Sequence, residues 1–340
     1  MIKFYTTFLL VAVILVFLNC VQKKEQPLAR KMVPPPGDYL GQTKPDSYPE
    51  IFAPSFISTR HNERDITFTP DGNQVYFSLC NANTQYSAIV YFERKDGSWS
   101  RPKVASFSGQ YRDLEPFVTP DGQKLFFASN RPLEKDGDPK DWDIWVVQKT
   151  NTGWSEAQNI ESPVNTEGDE FYPSISNNGS LYFTAEREGS KGGEDIYVSR
   201  LLGDVYQAPE NLGDSINTLR GEFNATIDPD ESVIVFSSFG RDDGIGSGDL
   251  YISYRRSDGK WSKARILGEP INSTSLDYCP AFSPDGNYFF FTSHRISHSF
   301  KYPQPNSYEQ IIDHLNNPEN GLGNIYWVKS DILKLKAPNE

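Results

Sequence analysis

Short apolar runs alternate with turn-forming residues along most of the chain, a pattern typical of β-strands joined by tight turns. Five turn triplets have the sequence Pro-Asp-Gly or a variant of it, at residues 70–72, 120–122, 177–179, 229–231 and 284–286. Proline sets φ at the first corner of such a turn, Asp bonds to its own backbone, and Gly accepts a positive φ. An apolar run such as 75–77 or 289–291 follows each triplet, so each turn is predicted to join two strands.

The turns belong to a longer repeat, because successive triplets begin 50, 57, 52 and 55 residues apart. Thirteen positions before each turn stands an apolar residue, and twelve before it a small polar one: Ile57 and Ser58, Phe107 and Ser108, Val164 and Asn165, Ile216 and Asn217, Ile271 and Asn272. Third strands are predicted near residues 89, 144, 196, 250 and 325, and fourth strands near 99, 154, 206 and 261. Four strands per unit of this length predict an all-β fold, a five-bladed β-propeller.

The two ends of the repeat region predict how the propeller closes. The fifth unit supplies three strands, and segment 48–58 has the register of a fourth strand without a blade of its own. Pairing this N-terminal strand with the last blade would cover two open sheet edges. We therefore expect a propeller over residues 48–335, with an insertion at 296–322 and a tail at 336–340.

The insertion contains Ile311, Ile312 and Leu315 at helical spacing between two prolines. This spacing predicts a short amphipathic helix that packs over one face of the propeller. Such a helix would either shape a binding surface or act as a plug.

The N-terminal residues differ in character from the repeat region. Lys3 precedes a continuous apolar run at 8–18 that is short for a bilayer span, and Cys20 follows it. The pattern predicts an export signal at residues 1–19 and resembles the lipobox of bacterial lipoproteins, which implies lipidation of Cys20. Asn19 and Phe17 depart from the usual lipobox residues, and an ordinary cleaved signal or a retained anchor is the alternative. The polar segment 20–47 is predicted to be a flexible tether.

Charge and motifs exclude several functions. The chain has 33 Lys and Arg against 45 Asp and Glu, a formal charge of −12, so no nucleic acid partner is expected. It has no G-x-S-x-G, Walker or dinucleotide-binding motif. His294 and His298 lie at a strand end, where a spacing of four does not bring side chains together, so neither metal nor cofactor is expected. Whether Cys80 and Cys279 form a disulfide stays open.

An acidic residue stands seven positions before every turn. These residues, the acidic ring, are Glu63, Asp113, Glu170, Glu222 and Asp277. At the start of the innermost strands they would surround one mouth of the central channel and bind a cation or a basic ligand. The alternative is that each carboxylate accepts hydrogen bonds within the propeller.

A second repeated set is predicted to be structural. An Arg follows the second strand and an Asp opens the third in three blades, which predicts the pairs Arg131 with Asp143, Arg187 with Asp195, and Arg241 with Asp249. Arg295 and Asn324 occupy these positions in the fifth blade. The first blade has Asn81 and Ala88 instead, and this joint absence indicates that the two positions pair.

The turn and its flanking strands resemble the WD40-like propeller repeats, with the turn Pro-Asp-Gly, of TolB-type periplasmic proteins and of lipoproteins from Bacteroidetes-like bacteria. The matching segments are 115–131, 277–295 and 323–328, within a resemblance that covers residues 48–335. The resemblance implies the propeller fold. It leaves the function open, because propellers host binding, scaffolding and several enzyme chemistries.

The favoured hypothesis is a non-enzymatic module for binding an envelope protein or glycan, anchored through Cys20 to the outer membrane and facing the periplasm or the cell surface. The alternative is a carbohydrate-active enzyme, a glycan hydrolase or lyase, with Asp113, Glu170, Glu222 and Asp277 as candidate carboxylates. Near-equal acids in all blades favour binding, because a hydrolase is expected to place one acid in a distinct apolar setting.

Overall fold

A computed structural model describes residues 33–134, 137–297 and 305–335. Strand β1 is Glu50–Ile51, and blade 1 contains β2 Asn62–Phe68, β3 Gln74–Cys80, β4 Ser87–Lys95, β5 Ser98–Trp99 and β6 Lys103–Val104. Blade 2 contains β7 Asp113–Val118, β8 Lys124–Ser129, β9 Asp143–Thr150, β10 Gly153–Trp154 and β11 Gln158–Asn159. Blade 3 contains β12 Glu170–Ile175, β13 Leu181–Ala185, β14 Asp195–Ser199, β15 Leu201–Leu202, β16 Val205–Tyr206 and β17 Glu210–Asn211.

Blade 4 contains β18 Glu222–Ile227, β19 Val233–Ser238, β20 Asp249–Tyr254 and β21 Arg265–Ile266. Blade 5 contains β22 Asp277–Phe282, β23 Tyr288–Ser293, helix α1 Tyr308–Leu315 and β24 Asn324–Lys329. The first strands of the blades contact one another in cyclic order, β2, β7, β12, β18, β22 and back to β2. The prediction of an all-β, five-bladed propeller is confirmed.

Closure of the propeller depends on the N-terminal strand. Strand β1 pairs antiparallel with β24, with Glu50 opposite Trp327 and Ile51 opposite Tyr326. Phe52, directly after β1, is fully buried against Phe290 and Trp327. The predicted closure by a strand from segment 48–58 is therefore confirmed, and it gives the last blade its fourth strand.

Each blade has two ends, which we name by their connections. The turn face carries the five turns between the first and second strands, and the loop face carries the connections between the second and third strands. In blade 2 the turn is held by Asp121, which accepts hydrogen bonds from the Thr119 hydroxyl at 2.6 Å and the Gln123 N–H at 3.0 Å. Gly122 follows at φ 69°, so the turn chemistry inferred from the triplet is the chemistry observed.

The small polar residue twelve positions before each turn joins successive blades. The side chain of Asn165 bonds both the N–H and the carbonyl of Ile144 in β9, at 3.0 and 2.9 Å. Asn217 does the same to Ile196 in β14. These buried bonds attach the connection leading into one blade to the third strand of the blade before it, which explains why this position is polar in every unit.

Every first strand contains a bulge where its pairing register shifts by an extra residue. The residue at the bulge has a positive φ in all five blades: Asp65, Glu115, Tyr172, Asn224 and Cys279, at 48° to 61°. Bulges of this kind redirect a side chain out of the strand's alternation. All five side chains are buried, and four of them join the network described below.

The described part of the predicted tether lies on the propeller. Leu40 is 2% exposed in a core shared by blades 1 and 5, and the Trp99 indole donates to the Gly37 carbonyl at 2.8 Å. Asp38 forms an ion pair with Arg94 at 2.6 Å. Residues 33–47 are therefore folded against the blades over part of their length. The predicted signal at 1–19, Cys20, His298 and the tail at 336–340 lie outside the described residues.

The insertion in blade 5 forms the predicted helix at Tyr308–Leu315, started by a capping box between Ser307 and Gln310. The expectation that it packs over one face is wrong, because none of its residues is buried. Ile311, Ile312 and Leu315 are 36% to 52% exposed. Within the described residues, no helix combines the length and apolar character needed to cross a membrane.

Candidate functional site

The acidic ring lies at the loop-face ends of the first strands, and its five side chains are at most 1% exposed. Each carboxylate accepts a hydrogen bond from a hydroxyl four or five residues upstream. Thr166 donates to Glu170 through its hydroxyl at 2.7 Å and its N–H at 3.1 Å, and Thr218 donates to Glu222 in the same way. The carboxylates therefore order the connections that lead into their own strands.

In four blades an arginine completes the carboxylate's environment. The nitrogen to oxygen distances are 2.7 Å for Arg131 and Asp113, 2.9 Å for Arg187 and Glu170, 2.9 Å for Arg241 and Glu222, and 3.3 Å for Arg295 and Asp277. Each guanidinium also donates to a backbone carbonyl, as Arg131 does to Phe107 at 2.8 Å. It also lies over aromatic rings, among them Phe127 and Trp145 in the case of Arg131.

This arrangement corrects the predicted pairs, because no Arg131 to Asp143, Arg187 to Asp195 or Arg241 to Asp249 ion pair is formed. The third-strand acids have other partners. Asp143 accepts from Lys140 and Asn159, both at 2.7 Å, and Asp195 from the Lys191 N–H and Asn211. Asp249 accepts from the N–H groups of Ile245 and Gly246. Each of these acids accepts hydrogen bonds within its own blade through one oxygen, Oδ2, and leaves its buried Oδ1 without a partner, while the arginine binds the first-strand acid.

Blade 1 has no arginine at this position, and Glu63 is bonded to Thr59 and more weakly to Asn324 of blade 5, at 3.4 Å. Burial raises the pKa of Glu63 to about 7. Burial also raises the pKa of Glu170 to about 7, although hydrogen bonds from Thr166 and the charge of Arg187 act in the opposite direction. The loss of hydration outweighs the attraction of the arginine at this site.

None of the five carboxylates is exposed to a ligand, so the structure does not support the ligand-binding role predicted for the acidic ring. Its residues are used for packing, the alternative that the sequence left open. The arginine and the aromatic residues that it covers repeat together. Blade 1 lacks the arginine, and it also has Val90 where the other blades have an aromatic residue in the third strand.

Sequence reasoning missed a buried network formed at the five bulges, which we call the axial network. Arg64 bonds Asp65 at 2.8 Å and Glu115 at 2.7 Å. Glu115 also accepts from the Asn224 side chain at 3.1 Å and the Tyr172 N–H at 2.7 Å. Cys279 of blade 5 accepts from Arg64 at 3.4 Å and donates to Asn224 at 3.7 Å. Because these residues come from all five blades, their contacts join the blades near the centre of the fold. The bulge residues of this network all stand five positions before a turn. Because the residue type at that position differs between blades, the repeat did not draw attention to it.

Two carboxylates share one guanidinium in this network. Burial and the nearby charge of Asp65 raise the pKa of Glu115 to about 7, although Arg64 acts in the opposite direction. Cys80 and Cys279 are buried free thiols near Arg64. Burial raises the pKa of the Cys80 thiol to about 12, so it is not a reactive nucleophile.

The loop face carries aromatic pairs that each include a buried ring and, in its connections, exposed apolar side chains. Trp142 packs on Phe171 with ring centroids 5.6 Å apart and receives the Arg112 guanidinium at 4.7 Å, and Phe223 stacks on Phe239 at 4.2 Å. Most large hydrophobic side chains that are exposed lie in the connections of this face: Tyr86, Leu133, Leu219, Phe239, Ile245, Ile296, Tyr308, Ile311, Ile312 and Leu315. We call this set the exposed loop-face residues.

Carboxylates also occur on the loop face. Asp169 is exposed and accepts from the Trp142 N–H at 2.9 Å. Burial and the neighbouring Asp169 raise the pKa of Glu194, which is half-buried.

His294 bonds the Tyr278 hydroxyl at 3.2 Å, and burial lowers its pKa to about 4. In the described ranges, His, Cys, Asp and Glu side chains form no group of three or more that could hold a metal ion.

The order of the five blades defines the chain as a five-bladed β-propeller. No family model and no curated protein matches the sequence. Among solved structures, a glycoside hydrolase covers 85% of this chain and 92% of its own, with a TM-score of 0.53 and 8% identity. TolB from Acinetobacter baumannii (TM-score 0.46, 14% identity, 79% of this chain) and a putative TolB from Agrobacterium tumefaciens (0.45, 16%, 79%) are also similar. The match spans 57% of the Acinetobacter chain and 90% of the Agrobacterium chain.

Proposed function

We propose that this chain is a non-enzymatic binding module of the bacterial cell envelope and that its loop face binds a protein partner. The observation that carries this proposal is the contrast between the two sets of residues on that face. The repeated carboxylates are buried and bonded, whereas aliphatic and aromatic side chains such as Leu219, 82% exposed, face solvent. Exposed apolar residues gathered on one surface mark protein interaction sites.

The chemistry of these residues favours a protein over a glycan as the partner. Sugars are recognised mainly by flat aromatic rings and planar polar groups, whereas Leu219, Ile245, Ile311 and Leu315 are branched aliphatic side chains. A protein partner can bury them in an apolar interface core. The formal charge of −12 favours a partner whose complementary surface is basic.

The proposal includes an anchor at Cys20, supported by the lipobox-like sequence before it. Replacement Cys20→Ser is expected to move the protein from the membrane fraction to the soluble fraction without changing its unfolding transition.

The binding proposal is tested by capture from an envelope extract, with incubation on a glycan panel in parallel. The bait is the chain from residue 21. The control is the double variant Leu219→Glu with Ile245→Glu, which replaces two exposed apolar side chains by charged ones. We expect one protein retained by the natural chain and lost from the double variant, with no oligosaccharide shortened. Retention of an oligosaccharide followed by its slow conversion would contradict the non-enzymatic proposal.

A second candidate is a glycan hydrolase, favoured by the pair Asp169 and Glu194 on the loop face. A carboxyl group with a raised pKa, as Glu194 has, suits the role of general acid. The acids expected from sequence for this activity, Asp113, Glu170, Glu222 and Asp277, are unsuited because they are buried and bonded to arginines. If the chain hydrolyses a glycan, Glu194→Gln should abolish turnover and leave binding intact.

A further inference from the structure

The turn face contains a cavity of about 410 Å³ that no function proposed above uses. Its wall is formed by apolar side chains, among them Phe117, Ile227, Phe282 and Leu335, and by prolines of four of the repeated turns. Asp228 is the one charged residue in the wall, and its carboxylate is occupied by the Val233 N–H at 2.6 Å and the Ser232 hydroxyl at 2.8 Å. The cavity is therefore an apolar site with little charge of its own.

A narrower cavity of about 40 Å³ adjoins the first one. The two share Thr67, Phe117, Thr226 and Phe282 in their walls, and the narrower one reaches Glu115 of the axial network. Glu115 closes the inner end, and its carboxylate is already bonded to Arg64, Asn224 and Tyr172. A ligand entering from the turn face is therefore confined to the apolar part.

One polar group in the shared wall has no partner. Thr226 is 4% exposed, and its hydroxyl makes no hydrogen bond to any residue that the structure describes. The equivalent hydroxyls of Thr67 and Ser174 each accept from the N–H of the next blade, Val118 at 3.2 Å and Ile227 at 3.0 Å. The Thr226 oxygen is not fully enclosed by protein, so it opens onto the cavity, where a ligand can form a hydrogen bond with it.

We infer that the turn-face cavity binds a small, uncharged aromatic molecule with one hydrogen-bonding group, which pairs with the Thr226 hydroxyl. An apolar cavity of about 150 Å³ accommodates one benzene molecule, so the observed volume suits a ligand of two fused rings and lies in the usual range for small-molecule sites. The Phe117 and Phe282 rings supply aromatic contacts. The acidic chain and Asp228 disfavour an anion.

The test measures the affinity of 1-naphthol for the chain from residue 21 by titration calorimetry, alongside 1-methylnaphthalene and 1-naphthalenesulfonate. We expect 1-naphthol to bind more tightly than 1-methylnaphthalene by up to about tenfold, the contribution of one net hydrogen bond. Thr226→Val should remove this preference. The sulfonate should bind more weakly than either uncharged probe. Equal binding of naphthol and methylnaphthalene, or no binding of either, would overturn the inference.

Two further variants separate ligand binding from folding. Leu335→Trp fills the cavity from its rim near the end of the described chain and should weaken binding of 1-naphthol with the unfolding transition unchanged. Ser174→Ala removes the equivalent hydroxyl in blade 3, which is bonded to Ile227 and lies outside the cavity wall. It should lower stability and leave binding unchanged. If Leu335→Trp binds naphthol as the natural chain does, the site lies elsewhere. One further result would overturn the inference. If the natural chain binds no naphthol and Leu335→Trp loses a protein partner, the cavity accepts an apolar side chain of that partner and not a small molecule.

Discussion

The repeated arginine and acid act at the scale of single residues as a clamp within each blade. Arg241 joins the carboxylate of Glu222, the Ser238 hydroxyl on the second strand and the Ile216 carbonyl on the incoming connection. Its guanidinium lies over the rings of Phe236 and Tyr251. One side chain therefore fixes three parts of a blade, which accounts for its repetition in blades 2 to 5.

A double-mutant cycle distinguishes the observed pair from the predicted one. Arg241→Ala leaves the buried Glu222 charge uncompensated and is expected to lower the free energy of unfolding by about 3–5 kcal/mol. Combining Arg241→Ala with Glu222→Gln should show strong coupling in urea unfolding, and combining it with Asp249→Asn should show additive effects. Coupling of Arg241 to Asp249 instead would mean that the sequence-based pairing was correct.

Buried glutamates predict an unusual dependence of stability on pH. Glu63, Glu115 and Glu170 have pKa values of about 7 in the folded chain, above the ordinary 4.5. Between pH 7 and 4.5 the folded state binds more protons than the unfolded state, so stability rises as the pH falls, by about 1.4 kcal/mol per pH unit for each fully linked proton. His294, with its lowered pKa, opposes this below pH 6.5.

We therefore expect a higher urea midpoint at pH 5.5 than at pH 7.5. Glu115→Gln removes one of the three groups and should reduce the difference between the two midpoints. A midpoint that falls steadily from pH 7.5 to 5.5 in the natural chain would show that these carboxylates ionise normally in the fold.

The sequence showed which residue types repeat, but it did not show their partners. An arginine two or three residues after the second strand can reach either neighbouring strand, and the repeat did not show that it binds the first-strand acid, as Arg241 binds Glu222. The axial network was harder still to predict. Its positions carry Asp65, Glu115 and Asn224, different residues that a backbone bulge brings together.

At the scale of elements, the N-terminal strand determines closure. Phe52 is fully buried between blade 5 rings, with centroids 5.1 Å from both Phe290 and Trp327. Phe52→Ala is expected to lower the free energy of unfolding by about 3–5 kcal/mol. Tyr48→Ala, in the same segment but 74% exposed, is the matched control and should change it little. Equal effects of the two variants would mean that the segment does not close the ring.

Strand order and closure could be predicted because the turn chemistry and the spacing of apolar positions are local in the sequence. Helix α1 shows a feature that local sequence could not predict. The apolar spacing between two prolines predicted the helix correctly, but the packing expected from the same spacing is wrong. Amphipathic character shows that a helix has an apolar face. Whether the fold or a partner covers that face depends on contacts with residues far along the chain.

At the scale of the whole molecule, the two faces have different chemistry. The loop face carries the exposed loop-face residues and the carboxylates Asp169 and Glu194. The turn face carries a recessed apolar cavity. The buried clamps and the axial network lie between them and hold the blades together, so residues of the two faces can vary without altering the fold.

The measurement that tests this division most directly compares two variants in two assays. Glu222→Gln weakens a buried clamp, and Leu219→Glu changes a side chain that is 82% exposed on the loop face. The account predicts that Glu222→Gln lowers the unfolding midpoint but retains the captured partner, whereas Leu219→Glu keeps the midpoint and loses the partner. Val205→Glu, 62% exposed in β16, should change neither. Loss of the partner from folded Glu222→Gln, with capture by Leu219→Glu undiminished, would contradict it.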